Sequence, residues 1–166
     1  MMAELSASLL SAAIKVNGQQ RPVETPLNET LLTTLRDTLQ LTAAKRGCNQ
    51  GVCGACTVQI DGVPMRACLS LTQGCVHREV HTLEGLNHDP LMQSLQASFA
   101  KSGAFQCGFC TSGVLLAAHA LLRQHPRPTE PQVRSALSGN LCRCTGYVPI
   151  IEAVMKASAR TQGASA

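Results

Sequence analysis

Along the first third of the chain, apolar and polar positions alternate. Ile14 and Val16 precede an Asn17-Gly18 pair and Val23 follows it. A period of two marks half-buried strands, and Asn-Gly accepts the left-handed backbone of a tight type I′ turn, so a β-hairpin opens the fold. The period then changes. Leu31, Leu35 and Leu39 stand four apart in LNETLLTTLRDTLQL, with Leu32 beside them. That spacing predicts an amphipathic helix with Asn28 and Thr30 as candidate caps. Alternation returns in CTVQIDGVPMRACL around Asp61-Gly62, and REVHTLEGL supplies a last strand.

The second half is helical in pattern. Leu91, Leu95 and Phe99 follow Asp89-Pro90, a cap and first-turn pair, and TSGVLLAAHALLRQ is apolar nearly all round, as a helix buried on several sides would be. HPRPTEPQ interrupts the pattern as a solvated turn, QVRSALSG ends on Gly139, and VPIIEAVMKASAR forms a last helix that Pro149 can begin. The expectation is an α+β chain in two halves, a small sheet domain over residues 12–86 and a helical domain over 87–160. Residues 1–11 and 161–166 are expected to fray.

Composition narrows the function. The chain has 166 residues, 45% hydrophobic and 14% charged, enough to bury a core. Its net charge of +4 comes without a basic run, and one Tyr, three Phe and no Trp leave little to stack on bases, which argues against nucleic-acid binding. No apolar run approaches the ~20 residues of a membrane span, so membrane insertion is not expected. MMAELSASLLSAAI lacks a basic n-region and a twin arginine, so no leader is expected. The cytoplasm is the expected compartment, or the periplasm if a partner carries the export signal.

Nine cysteines change the picture. An odd count without an export signal argues against a disulfide framework and for metal chelation. Cys48-x4-Cys53-x2-Cys56 followed by Cys68 has the plant-type [2Fe-2S] spacing, whereas a zinc knuckle would use two short pairs. Gly47, Gly51 and Gly54 clear side chains where backbone N–H groups must approach sulfur, and Lys45 and Arg46 would offset the cluster's negative charge. These glycines lack the GxGxxG spacing, so any nucleotide cofactor belongs to another chain.

The remaining pairs, Cys107-x2-Cys110 and Cys142-x-Cys144, read differently. The first sits at a helix start, where unpaired N–H groups favour thiolates. Cysteines two apart diverge by roughly 200° on a helix, so Cys142 and Cys144 can share a centre only from a loop, which Gly139 and Gly146 permit. The four thiols converge between helices, and by spacing alone either zinc or an iron-sulfur cluster would suit them.

GCNQGVCGACTVQIDG, ACL, TLEGL, FQCGFCTSG and GNLCRCTGY, in this order and spacing, resemble the small iron-sulfur subunit of the molybdenum hydroxylases, the xanthine oxidase and aldehyde oxidoreductase family. The resemblance covers nearly the whole chain. It implies a ferredoxin-like β-grasp domain holding one [2Fe-2S] cluster by Cys48, Cys53, Cys56 and Cys68. A four-helix domain would hold a second by Cys107, Cys110, Cys142 and Cys144. Gln106 and Cys144 match family residues that contact the pterin of a large molybdenum-cofactor subunit. Electrons would pass from that subunit, which oxidises an N-heterocycle or aldehyde with water as oxygen source, to an FAD subunit, a cytochrome or a quinone. No catalytic residue is expected on this chain. Asn49 departs from the family's glycine, though asparagine tolerates a left-handed backbone.

A stand-alone two-cluster carrier and a zinc-stabilised interaction module are the competing readings. Cys75 belongs to neither thiol set and is expected as a free, partly buried thiol, and His119 as a hydrogen-bonded core or interface residue.

Overall fold

The computed structural model describes residues 9–160. Strands β1 (Leu9–Val16) and β2 (Gln19–Pro26) form the opening hairpin, and Asn17 and Gly18 take the two positive φ values, 53° and 77°, that its turn requires. β3 (Thr57–Ile60) and β4 (Val63–Arg66) repeat the device at Asp61 and Gly62. β5 (Glu79–His81) inserts between the hairpins, parallel to β1 and antiparallel to β3, giving the order β2-β1-β5-β3-β4. β1 begins at Leu9, opposite Pro26, so Leu9 to Ser11 belong to a strand and not to a frayed tail. The rest of that expected tail, residues 1–8, and residues 161–166 lie outside the described residues.

The leucine-rich segment is shorter and wider than an amphipathic α-helix. A single turn, α1 (Leu31–Thr33), capped by the Thr30 side chain and not by Asn28, runs into a π-helical stretch over Thr34–Thr38. Leu31, Leu32 and Leu35 are fully buried against the sheet.

Four helices follow: α2 (Pro90–Ser102), α3 (Thr111–Gln124), α4 (Glu130–Leu137) and α5 (Val148–Arg160). Asp89 caps α2 by accepting the Met92 N–H at 2.8 Å. Thr129 and Gln132 form a capping box on α4. The helices pack around Met92, Leu95, Phe99, Leu116, Val133, Ile150 and Val154, a core separate from the one beneath the sheet.

Between the two cores lies a seam, with α3 packed against β3. This explains why α3 is apolar nearly all round, and it changes the meaning of alternation in β3. Val58 and Ile60 face the sheet's core, yet Thr57 and Gln59 are buried too, covered by the helical half. Removing the largest side chain of the helical core opens a cavity there: Phe99→Ala is expected to lower unfolding free energy by about 3–5 kcal/mol in a denaturant titration.

Candidate metal centres

The first thiol set is assembled by a loop and a hairpin. Cys56 immediately precedes β3 and Cys68 follows β4, so strand pairing brings their sulfurs to 3.4 Å in a buried position. Cys48 and Cys53 face each other across the loop, where the Cys53 and Gln50 N–H groups donate to Cys48 Sγ at 3.3 and 3.4 Å, and the Cys48 N–H donates to Cys53 Sγ at 3.4 Å. These amides hold the Cys48 thiol down to about 6, whereas burial pushes Cys56 up to about 11. Gly47 is required by packing, since a Cβ there would stand 2.9 Å from Cys53 Sγ. Asn49 adopts φ 55°, the left-handed backbone that the loop asks of it.

The second set is more open. Cys110 stands at the first position before α3 without a side-chain capping bond, and Cys142 and Cys144 come from the loop joining α4 to α5. Cys107 and Cys144, both exposed, lie 3.7 Å apart between sulfurs. Cys110 and Cys142 form the inner pair. Contrary to the expectation for a helix start, the Cys110 thiol is pushed up to about 12, first by burial and then by the neighbouring Cys142. Burial acts on Cys142 as well, but the Thr145 hydroxyl and amide outweigh it and hold that thiol below its ordinary value. Tyr147 completes the loop: its hydroxyl accepts the Cys142 N–H at 2.9 Å.

Two thiolates on one tetrahedral metal, each at about 2.3 Å, stand roughly 3.8 Å apart, while a disulfide requires about 2.05 Å. The separations of 3.4 and 3.7 Å fit the first case. Among the described residues no three His, Cys, Asp or Glu side chains gather to hold a single ion. The thiols instead come as pairs beside pairs, with Cys53 close enough to Cys56, and Cys107 to Cys110, to influence each other's charge. That arrangement suits a binuclear centre with two thiols per metal better than one zinc ion.

One hydrogen bond joins the sets. The Leu141 N–H, one peptide from Cys142, donates to the Cys53 carbonyl at 2.8 Å. Around it, Asn140 Nδ2 donates to the Gly54 carbonyl at 3.0 Å and to Thr57 Oγ1 at 3.1 Å, and Arg66 bridges Thr57 Oγ1 and the Gly139 carbonyl at 2.7 and 2.5 Å. Gly54 makes the approach feasible, with φ 72° and room for no Cβ beside Gly139 O. Sequence reasoning did not single out Arg66, Asn140, Thr145 or Tyr147. Three of them lie inside the quoted GNLCRCTGY, but their roles depend on contacts across the fold.

Other expectations resolve individually. Gln106, exposed, donates from Nε2 to the Cys144 carbonyl at 3.1 Å, so these two residues share one surface. Lys45 and Arg46 each have a partner nearby in the chain: Lys45 Nζ donates to the Thr42 carbonyl at 2.8 Å, and Arg46 pairs with Asp37 at 2.9 Å. At the thiols themselves the hydrogen bonds come from backbone amides. Cys75 is buried in the core beneath the sheet, its thiol donating to the Leu71 carbonyl at 3.6 Å.

Two family descriptions match the sequence: "2Fe-2S iron-sulfur cluster binding domain" over residues 21–101 and "[2Fe-2S] binding domain" over residues 82–155. The nicotine 6-hydroxylase small subunit of Paenarthrobacter nicotinovorans is 48% identical over 144 residues, 87% of each chain. The nicotinate dehydrogenase small FeS subunit of Eubacterium barkeri is 44% identical, over 89% of this chain and 94% of that one. This chain belongs to the small [2Fe-2S] subunits of the molybdenum hydroxylase family. The family fold is shared at backbone level with quinoline 2-oxidoreductase from Pseudomonas putida 86, at TM-score 0.87 and 40% identity, covering 95% of this chain and 99% of that one. It also matches a 17% portion of the aldehyde oxidoreductase chain of Desulfovibrio desulfuricans, at TM-score 0.85 and 41% identity. As in the family, the chain carries two [2Fe-2S] domains. No helix among the described residues is long and apolar enough to cross a membrane.

Because the Gly47 position abuts Cys53 Sγ, Gly47→Ala should displace that thiol. Iron content and reduced-state EPR should show loss of the signal from the first set, with the second set's signal retained.

Proposed function

We propose that this chain is the electron-transfer subunit of a multi-subunit molybdenum hydroxylase acting on an N-heterocycle or an aldehyde, with water as the oxygen source. Cys48, Cys53, Cys56 and Cys68 of a domain spanning residues 12–86 hold one [2Fe-2S] cluster. Cys107, Cys110, Cys142 and Cys144 of a domain spanning 87–160 hold the other. When bound, each cluster takes up and releases one electron at a time, which lets two-electron substrate chemistry on a partner feed one-electron acceptors.

The residues of this chain do the holding and the connecting. Amides of the 48–53 loop point at sulfur and stabilise negative charge there, and Thr145 does the same for Cys142. Gln106 and Cys144, side by side at the surface, meet the molybdopterin of the large subunit. The first set, in which Cys56 and Cys68 are buried and Cys48 and Cys53 half-buried, hands electrons onward to an FAD subunit or another acceptor. The observation that supports this reading most directly is the Leu141 to Cys53 hydrogen bond, which leaves one non-covalent link between ligands of the two sets.

Dithionite reduction of the anaerobically purified chain should yield two spin-one-half EPR signals, each integrating near one spin per cluster. Cys68→Ala should abolish one and Cys142→Ala the other. Zinc in place of iron and sulfide, or one signal lost in both variants, would reject the ligand assignment. From cell extract the chain should co-purify with a molybdenum-bearing subunit, and recovery as a clean monomer would favour a free carrier.

A further inference from the structure

His119 is 5% exposed and lies where three elements meet across the seam. Gln59 Nε2, from β3, lies 2.9 Å from the Leu116 carbonyl of α3 and 3.0 Å from His119 Nδ1. An amide nitrogen bound to a carbonyl is a donor, and turning the amide over would set oxygen against oxygen, so Gln59 donates to both. His119 Nδ1 therefore accepts. The ring proton resides on Nε2, 3.2 Å from Asp89 Oδ1, the oxygen that also caps α2. Every polar atom of the ring is satisfied in this one neutral tautomer. A second proton, on Nδ1, would face the Gln59 amide hydrogens.

The charged surroundings point the same way. Burial lowers the pKa of His119; Asp89 opposes this, while Arg123 one turn along α3 and His81 on β5 reinforce it. His81 is in turn paired with Glu79 at 3.7 Å. A cleft of about 260 Å³ lined by Gln59, His81, Asp89, His119 and Arg123 gives protons a route to the ring.

We propose that His119 is a positioning residue: its neutral ring ties β3, α3 and the start of α2 together, and protonation releases the tie. The same α3 and β3 carry, at their other ends, Cys110 and the Gly54 to Asn140 contact beside the Leu141 to Cys53 bond. Loosening one end of the seam thus reaches the link between the thiol sets. The consequence for electron transfer rests on the cluster assignment above, and the tie itself does not. The sign follows from the lowered folded-state value: the tie contributes fully above the ordinary histidine value of 6.5 and is lost as pH falls from there through the folded one.

The test uses the full, cluster-loaded chain. Nitrogen NMR of the ring should show the Nε2–H tautomer titrating below 6.5. As pH falls through that titration, the Leu141 amide should lose hydrogen-exchange protection relative to Val154 in the helical core. His119→Gln keeps a donor for Asp89 but cannot titrate, so its Leu141 protection should be independent of pH after correction for intrinsic exchange. Gln59→Glu gives up the bond to the Leu116 carbonyl but places a carboxylate against Nδ1, and should shift the ring titration upward across 6.5. An Nδ1–H tautomer, a wild-type titration at or above 6.5, or Leu141 protection that follows Val154 at every pH would overturn the proposal. The expected titration and Leu141 response in a chain that takes up no iron would support the tie and count against the cluster assignment instead.

Discussion

β3 is buried on both faces, and the arrangement of the two halves depends on how its polar face is satisfied. Val58 and Ile60 would hold this strand in any sheet. Thr57 and Gln59 are the unusual part, since a buried polar group without a partner costs about 1–3 kcal/mol. The helical half meets that demand at specific atoms: Asn140 reaches Thr57, and the Leu116 carbonyl and His119 take up Gln59. Apolar contact alone would tolerate sliding of α3 over the strand. Hydrogen bonds at both ends do not, and the register they select is the one in which Leu141 meets Cys53.

The burial of the two thiol sets is asymmetric, and that asymmetry follows from where each is built. Cys56 and Cys68 belong to the root of a hairpin inside the sheet domain, so they are covered by their own fold. Cys107 and Cys144 belong to turns at the free ends of helices and remain exposed. In the proposed complex this leaves the second set open to the molybdenum subunit, while in the first Cys56 and Cys68 are covered and the half-buried Cys48 and Cys53 are held by loop amides. Negative charge at sulfur is answered by backbone dipoles that cannot rotate away. Lysine and arginine side chains could have served, but Lys45 and Arg46 are occupied in fastening the loop to its neighbours.

Much of this was legible in the sequence because it depends on local chemistry. Asn17-Gly18 and Asp61-Gly62 form the two tight turns that their dipeptides require, α3 spans the apolar run, and Asp89 caps α2. The cysteine spacings, too, foreshadow which thiols come together. The π-helical stretch was not legible, because leucines four apart are the ordinary signature of an α-helix. The roles of Arg66 and Asn140 were hidden for a different reason. Their partners, Gly139 and Gly54, are 73 and 86 residues away in the chain, so no local pattern signals them. Alternation in β3 is silent in the same manner: it does not show that the second half covers Thr57 and Gln59.

The distribution of exposed apolar side chains bears on whether the chain acts alone. Single surface leucines are ordinary. Here most of the large ones cluster near cysteines in sequence: Val52, Leu69 and Leu71 about the first set, and Phe105, Phe109, Leu141 and Val148 about the second. A free carrier gains from polar surroundings that keep both exits soluble and its encounters brief. Apolar side chains at both thiol sets instead favour lasting contact with partner surfaces that exclude water. Excluding water also lowers the local dielectric around the thiols, which strengthens the backbone dipoles aimed at sulfur. In the proposed assembly, the surfaces that bind the partners would therefore also complete the environment of the metal centres.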